Sequence, residues 1–163
     1  MASIIQSLCL GIFILAGQQA ANKPSDPGRV MLAPDGARLF GERMELNREK
    51  SLILGLSRPA ERVEWDFEIK RPGWYQVVVH YSLKELKNGQ KPGFDARIGD
   101  QNRLGPIHPT GDESKFLPQV LFDPVELPGG RHRLALGLTK QTELKGLAVQ
   151  KVELVRAAQP GIP

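Results

Sequence analysis

Two short runs of alternating apolar and polar residues, separated by Pro72-Gly73, constrain the fold more than any other part of the sequence. In residues 63–69 every second side chain is apolar and those between are acidic, and residues 75–81 repeat the period of two. This period places alternate side chains on opposite faces of a β-strand. Pro fixes φ and Gly tolerates positive φ, so Pro72-Gly73 suits a sharp change of direction. The pattern predicts two strands, each with one buried face.

The register of the two runs indicates how they connect. A two-residue hairpin would place Ile69 opposite Gln76 and so mix apolar and polar positions on each face. The apolar sets match when residue 69 faces residue 75. A three-residue bulged turn would allow this match, and so would an arch that carries the chain from one sheet to the facing sheet. We expect the arch, because two facing sheets cover both apolar faces.

The rest of the chain continues the pattern and predicts an all-β fold. No segment between turns shows a long 3.6-residue period, so we expect no helix. Further strands are predicted within residues 30–32, 37–46, 51–56, 94–98, 103–107, 120–127, 132–138 and 147–155. Together they predict a two-sheet antiparallel β-sandwich domain over residues 30–156, with a flexible lead-in at 22–29 and a tail at 157–163.

An uncharged apolar block at residues 3–16 is too short to span a membrane and is followed by small residues at 17–21. It predicts a secretory signal peptide over residues 1–21, and hence a secreted or periplasmic protein that does not associate with the membrane after cleavage. A buried strand or helix is the alternative. Cleavage removes Cys9, the one cysteine, so we expect a mature chain without disulfides or a thiol nucleophile.

The formal net charge of +4 falls entirely in the predicted mature chain. A modest positive excess favours an acidic partner surface. The sequence has no basic run with interleaved aromatic residues, so we expect no nucleic-acid ligand. It has no dinucleotide fingerprint, phosphate loop or zinc-spaced His pair, so we expect no cofactor and no metal.

Strand directions separate the short turns from the long loops. If the strands run up and down, the turns at 72–73, 99–100 and 128–130 fall at one end of the sandwich. Longer polar loops fall at the other end, near residues 47–62, 82–93, 107–117 and 139–146. We name that second end the loop end. Long loops are often kept for binding, so we predict a ligand site there, with these candidate contacts: His108, Thr110, Asp112, Lys115, Lys87, Asn88 and Gln141.

Catalysis is not expected at the loop end. His108, Asp112 and Ser114 share one loop, but a triad needs a base that a third group orients against the nucleophile. Ser114 also lacks the Gly-x-Ser-x-Gly motif of a nucleophile elbow. The acidic side chains of the 63–69 run lie in a row on one predicted strand face, which is typical of the outside of an antiparallel sheet.

Several segments resemble a known group of modules. They are residues 35–41, 61–67, 72–81, 110–111 and 127–132. They resemble galactose-binding-like jelly rolls, above all the modules appended to secreted α-L-fucosidases and the family 6 type of carbohydrate-binding module. The resemblance implies a jelly-roll β-sandwich that changes sheet at Pro72-Gly73, often with a sugar site at the loop end. Many such modules hold calcium on an N-terminal Glu and a C-terminal Asp. Pro34-Asp35 and Glu153 stand in those regions here, and no calcium is predicted.

Two hypotheses for function remain open at this point. The first is a secreted, non-catalytic carbohydrate-binding module that uses the loop end and slightly favours acidic polysaccharides. The long loops contain no Trp or Tyr, so binding would rest on hydrogen bonds and would be weak. The alternative is an extracellular or envelope domain with no sugar ligand, which binds a protein partner through a sheet face or edge. An exposed apolar patch would favour the alternative.

Overall fold

The computed structural model describes residues 28–87, 89–139 and 143–161. Within these ranges the chain forms strands and one 3-10 turn at Pro34–Gly36, with no α-helix. The strands are β1 (Arg29–Leu32), β2 (Arg38–Phe40), β3 (Glu45–Asn47), β4 (Leu52–Leu54), β5 (Arg62–Ile69), β6 (Gly73–Ser82), β7 (Gly93–Ile98), β8 (Gln101–Pro106), β9 (Leu117–Val120), β10 (Val125–Leu127), β11 (Gly130–Leu138) and β12 (Ala148–Arg156). The predicted signal peptide lies outside the described residues.

The strands form two antiparallel sheets. The larger sheet has β6 and β12 at its centre, with β9 and β10 paired to β6, β1 and β4 paired to β12, and β3 beyond β4. The smaller sheet has the order β2-β5-β11-β7-β8. One cluster of buried apolar side chains, drawn from both sheets, fills the space between them. The structure confirms the predicted all-β sandwich.

Pro72-Gly73 carries the chain between the sheets, which is the arch that we expected in preference to a bulged turn. β5 belongs to the smaller sheet and β6 to the larger one. Gly73 has a φ of 152°, a value that favours glycine. Both apolar faces enter the common core through the buried side chains Val63, Trp65, Phe67, Ile69, Tyr75, Val77, Val79 and Tyr81. Burial of each such side chain contributes roughly 2 kcal/mol, so the arch brings together a large part of the driving force for folding.

The polar ends of two core aromatic residues find partners at the rim of the core. Trp65 Nε1 donates to the carbonyl oxygen of Ala33 at 2.8 Å. Tyr75 donates its hydroxyl hydrogen to the carbonyl oxygen of Arg71 at 2.6 Å. Because both donors are paired, these rings are buried without an unsatisfied polar atom.

Residues 120–127 differ from the predicted continuous strand. β9 and β10 are separate, and four residues lie between them. In that segment the Leu121 amide donates to the Val77 carbonyl at 2.9 Å, and the Phe122 amide donates to the Leu104 carbonyl at 2.7 Å. Val77 and Leu104 belong to different sheets, so the segment bridges the two sheets along one edge.

Residues 37–46 also divide into two strands, β2 and β3, which lie in different sheets. Gly41 lies between them with a φ of 133°. A side chain at this position would meet Glu61, whose Cγ would lie 2.6 Å from the added Cβ. The crossing from β2 to β3 therefore depends on a glycine, as the crossing at Pro72-Gly73 does.

An ion-paired cluster lies on the outer face of the larger sheet. Lys151 Nζ donates to Glu153 Oε1 at 2.9 Å, and His80 Nε2 lies 2.9 Å from Glu153 Oε2. Burial raises the pKa of Glu153, but the bonds to Lys151 and His80 outweigh burial and hold the pKa below its ordinary value. The folded chain therefore favours the ionised carboxylate.

Replacement of Gly55 should weaken the fold. Gly55 has a φ of 84°, and a Cβ there would lie 1.8 Å from the Arg43 carbonyl oxygen. We expect Gly55→Ala to lower the free energy of unfolding by at least about 2 kcal/mol in urea denaturation. Gly36→Ala is the matched control, because a Cβ at Gly36 meets no atom within 4 Å. Equal stability of the two variants would contradict the close approach at Gly55.

Acid should destabilise the fold partly through Glu153. A carboxylate with a lowered folded pKa contributes stability above its unfolded pKa and loses it as the pH falls through the folded pKa. The ordinary value is 4.5, so we expect the unfolding free energy of the wild type to fall more steeply below about pH 4.5 than that of Glu153→Gln. Urea titrations at several pH values measure this, and parallel profiles would contradict a lowered pKa.

Candidate functional site

Four polar loops meet at the loop end, as the strand directions predict. In the larger sheet, Ser82 at the end of β6 pairs with Ala148 at the start of β12. In the smaller sheet, Gly93 at the start of β7 pairs with Pro106 at the end of β8. The loops that join the strands at this end are residues 55–61, 83–92, 107–116 and 139–147.

Thr110 ties the 107–116 loop to the 83–92 loop. Its side chain is buried, with the residue 7% exposed. The hydroxyl accepts a hydrogen bond from the Leu83 amide at 3.1 Å and lies 2.8 Å from the Asp112 carbonyl, to which it can donate. The Thr110 amide donates to the Leu83 carbonyl at 2.7 Å. The hydroxyl is thus used inside the protein, where it sets the distance between two loops.

Tyr81 fixes the start of the same loop from the core. Its hydroxyl donates to the His108 carbonyl and accepts from the His108 amide, both at 2.9 Å. Burial raises the pKa of Tyr81, so the phenol remains protonated at neutral pH and can keep donating. The His108 side chain lies exposed beside this anchor.

Asp112 stabilises the exposed turn of the loop. Its Oδ1 accepts hydrogen bonds from the Ser114 amide at 2.7 Å and from the Ser114 hydroxyl at 2.8 Å. These bonds, with a smaller contribution from the charges of Lys84 and Lys115, hold the pKa of Asp112 below its ordinary value. Asp112 therefore presents a negative charge next to two lysines. The Ser114 hydroxyl is engaged by this carboxylate.

A depression of about 570 Å³, which we name the loop basin, lies between the 83–92 and 139–147 loops. Its lining residues are Glu85, Leu86, Lys87, Gln90, Glu143, Leu144 and Lys145. Gln90 Nε2 donates to the Glu143 carbonyl at 2.9 Å and so links the two walls. The Leu144 amide donates to the Ser57 carbonyl at 2.8 Å, which attaches the basin to the 55–61 loop.

A second depression of about 510 Å³, which we name the side groove, continues from the loop end along β8. His108 and Lys91 border it, and most of its surface is apolar. The loop basin is lined by side chains of both charges, whereas the side groove is lined mainly by apolar surface. The two depressions thus present different chemistry side by side.

The predicted contact residues occupy different positions at this end. Lys87 borders the loop basin and His108 borders the side groove. Asp112 and Lys115 lie exposed on the turn of the 107–116 loop, and Thr110 is buried beneath it. Two further predicted contacts, Asn88 and Gln141, lie outside the described residues.

Sequence reasoning did not select Glu85, Gln90, Glu143 or Lys145, which complete the loop basin. Glu85 and Lys145 look like ordinary solvated loop charges in the sequence. Gln90 and Glu143 come together across 53 positions of sequence, and no local pattern reveals such a pairing. One available signal was the position of both residues in loops predicted to share an end.

Across residues 28–87, 89–139 and 143–161, no group of three or more His, Cys, Asp or Glu side chains is arranged to hold a metal ion. No helix in the same ranges is long and apolar enough to cross a membrane. The site as described offers fixed hydrogen-bond donors and acceptors, charges of both signs, and an adjacent apolar surface.

No protein-family model and no curated protein matches the chain. Solved structures do resemble it. A family 35 carbohydrate-binding module from Clostridium thermocellum has a TM-score of 0.61 at 12% identity, over 77% of this chain and 98% of that module. The family 35 module of Abf62 from Cellvibrio japonicus has a TM-score of 0.61 at 16% identity, over 82% and 99% of the two chains.

The similarity extends to a second module family and to one part of larger enzymes. The C-terminal family 6 module of the laminarinase LamC from Zobellia galactanivorans has a TM-score of 0.58 at 9% identity, over 78% of this chain and 99% of that module. A β-(1,4)-mannanase with a family 35 module from Podospora anserina has a TM-score of 0.55 at 11% identity. That match covers 83% of this chain but 29% of the mannanase. The chain therefore has the jelly-roll fold found in family 35 and family 6 carbohydrate-binding modules, as its resemblance to galactose-binding-like modules predicted.

Proposed function

We propose that this protein is a secreted, non-catalytic module that binds glycans through the loop end. The loop basin carries this proposal, because it is a pre-formed polar depression on a fold that isolated carbohydrate-binding modules share. Its volume of about 570 Å³ falls within the range of small-molecule sites.

The chemistry of the basin suits a polyhydroxylated ligand. A sugar hydroxyl both donates and accepts hydrogen bonds. The carboxylates of Glu85 and Glu143 accept, the ammonium groups of Lys87 and Lys145 donate, and both types line one depression. Charge-assisted hydrogen bonds of this kind are stronger than neutral ones.

Hydrogen bonds within the protein also link described residues of these loops before a ligand arrives. The bonds from Thr110 to Leu83 and from Gln90 to Glu143 connect three of the four loops. A pre-organised site loses less conformational entropy on binding. Hydrogen-bonding residues next to these links can therefore give measurable affinity without an aromatic residue in the basin.

The charge balance of the loop end supports a preference for acidic glycans. The 83–92, 107–116 and 139–147 loops together contain six lysines and four acidic residues, which gives a formal charge of +2. The lysines are Lys84, Lys87, Lys91, Lys115, Lys140 and Lys145, and the acidic residues are Glu85, Asp112, Glu113 and Glu143. Such an excess attracts a polyanion, and added salt weakens that attraction.

Removal of two loop-end lysines should weaken glycan binding. We expect the double variant Lys87→Ala, Lys115→Ala to bind acidic polysaccharides on a glycan array about tenfold less tightly than the wild type, because each lysine supplies a charged donor. Unfolding midpoints should be unchanged, since both side chains are exposed. Neutral glycans should lose less affinity, and higher salt should reduce the difference between acidic and neutral ligands.

The double variant Lys70→Ala, Arg71→Ala is the matched control, because it also removes two positive charges from exposed residues, here next to the arch at the opposite end of the sandwich. Equal losses in the control and in the loop-end variant would show that overall charge, and not the loop end, governs binding. A folded wild-type protein that binds no glycan on the array would overturn the proposed function and direct the search to a protein partner.

A further inference from the structure

One exposed aromatic side chain forms part of the side groove. Phe122 is 61% exposed, and its neighbour in the groove, Leu104, is 45% exposed. Contiguous exposed apolar surface, above all within a groove, often marks a binding site. Phe122 was not selected from the sequence, because it lies within a segment that predicts a continuous strand.

The backbone that carries Phe122 is fixed from both sheets. The Phe122 amide donates to the Leu104 carbonyl at 2.7 Å, and the Leu121 amide donates to the Val77 carbonyl at 2.9 Å. Arg103 Nη2 donates to the Pro124 carbonyl at 3.0 Å. The fold therefore holds the backbone rigidly on either side of Phe122 while leaving much of its ring open to solvent.

Two further features show how closely residues 121–124 pack against β8. Asp123 has a φ of 54°, a left-handed conformation that is uncommon outside glycine. A Cβ at Gly105 would lie 2.5 Å from Leu121 Cδ2, so β8 approaches the segment as closely as a glycine allows. The left-handed turn at Asp123 and the close packing at Gly105 define the backbone beside the exposed ring, and a pre-organised surface loses less entropy on binding.

The side groove is continuous with the loop basin. Leu86 and Gln90 line both depressions and form the ridge between them. Gln90 is fixed on that ridge, because its Oε1 accepts from the Lys87 amide at 3.1 Å while its Nε2 donates to the Glu143 carbonyl. A ligand that crosses the ridge would meet charged hydrogen-bonding groups on one side and Phe122 on the other.

We propose that Phe122 stacks against a pyranose ring of a glycan whose neighbouring rings cross the Gln90 ridge into the loop basin. The inference rests on the proposed function and extends it: the ligand is a stretch of several sugars along a polysaccharide, and not a single terminal sugar. A pyranose has an apolar C–H face that suits an aromatic ring and an edge of hydroxyls that suits His108, Gln90 and Lys91 around the groove.

The small number of exposed apolar side chains in the groove favours this ligand over a protein surface. Specific protein interfaces bury about 800 Å² on each partner around an apolar centre. Among the described residues, the large exposed apolar side chains in the groove are Leu104 and Phe122. An apolar groove in which Leu104 and Phe122 are the exposed large side chains, with a polar ridge and a lysine at its rim, suits a single polar chain with apolar ring faces.

The test compares binding of short and long oligosaccharides by calorimetry. The probes are oligogalacturonides as acidic ligands and laminari-oligosaccharides as neutral ligands, each from one to six units long. For wild type, we expect affinity to rise with length. Phe122→Ala should weaken binding of the longest bound probe about fivefold to tenfold, because it removes the stacking surface, and should leave the shortest bound probe unchanged. Phe122→Tyr should retain the dependence on length.

Met31→Ala is the matched control, because Met31 is also 61% exposed but lies on β1, away from the groove. If Phe122→Ala binds long probes as tightly as Met31→Ala, the stacking role is overturned while glycan binding at the loop basin stands. If the folded wild-type protein binds neither series at any length, the proposed function fails and this inference fails with it. Analytical ultracentrifugation of the wild type and both variants tests for self-association. If the wild type is a dimer and Phe122→Ala is a monomer with unchanged glycan affinity, Phe122 belongs to a protein contact and the inference is overturned.

Discussion

The burial of two apolar strand faces against each other is the constraint on which the rest of the structure depends. β5 and β6 follow one another in sequence but belong to different sheets, and their alternating side chains meet in one core. β11 then pairs with β5, and β12 pairs with β6, so each sheet grows outward from one member of this pair. The direction of these two strands also decides which end of the sandwich receives short turns and which receives long loops.

Much of this frame could be predicted from the sequence, because it follows from a period of two and from one turn. The mismatch between Ile69 and Gln76 excluded a two-residue hairpin, and the need to cover both apolar faces then favoured the arch over a bulged turn. The bridge at residues 121–124 could not be predicted in the same way. Its apolar residues look like part of a strand, and their separation depends on hydrogen bonds to Val77 and Leu104, which lie far away in sequence. The apolar and polar pattern of a short segment does not reveal hydrogen-bond partners that are distant in sequence.

The candidate site was less accessible to prediction than the fold, for a related physical reason. Loop residues have no period that assigns a side chain to an inner or outer face. From the sequence, Thr110 and Lys115 are equally plausible ligand contacts. In the structure Thr110 is buried and hydrogen-bonded to Leu83, whereas Lys115 is exposed. Phe122 shows the opposite case, since an apolar residue in an apolar run lies on the surface. For Thr110 and Phe122, position was decided by contacts between segments distant in sequence.

Because Tyr81 anchors the 107–116 loop through its main chain, the shape of the loop does not depend on its exposed side chains. Tyr81 binds the main chain of His108, and its ring packs edge-on against Phe94, with the ring centroids 5.1 Å apart in the core. The position of the loop backbone is therefore set from the core, through the main chain of His108 and not through its side chain. Mutations at exposed loop positions can change the chemistry of this surface at little cost to stability, which makes this end of the molecule open to diversification by evolution or by laboratory selection.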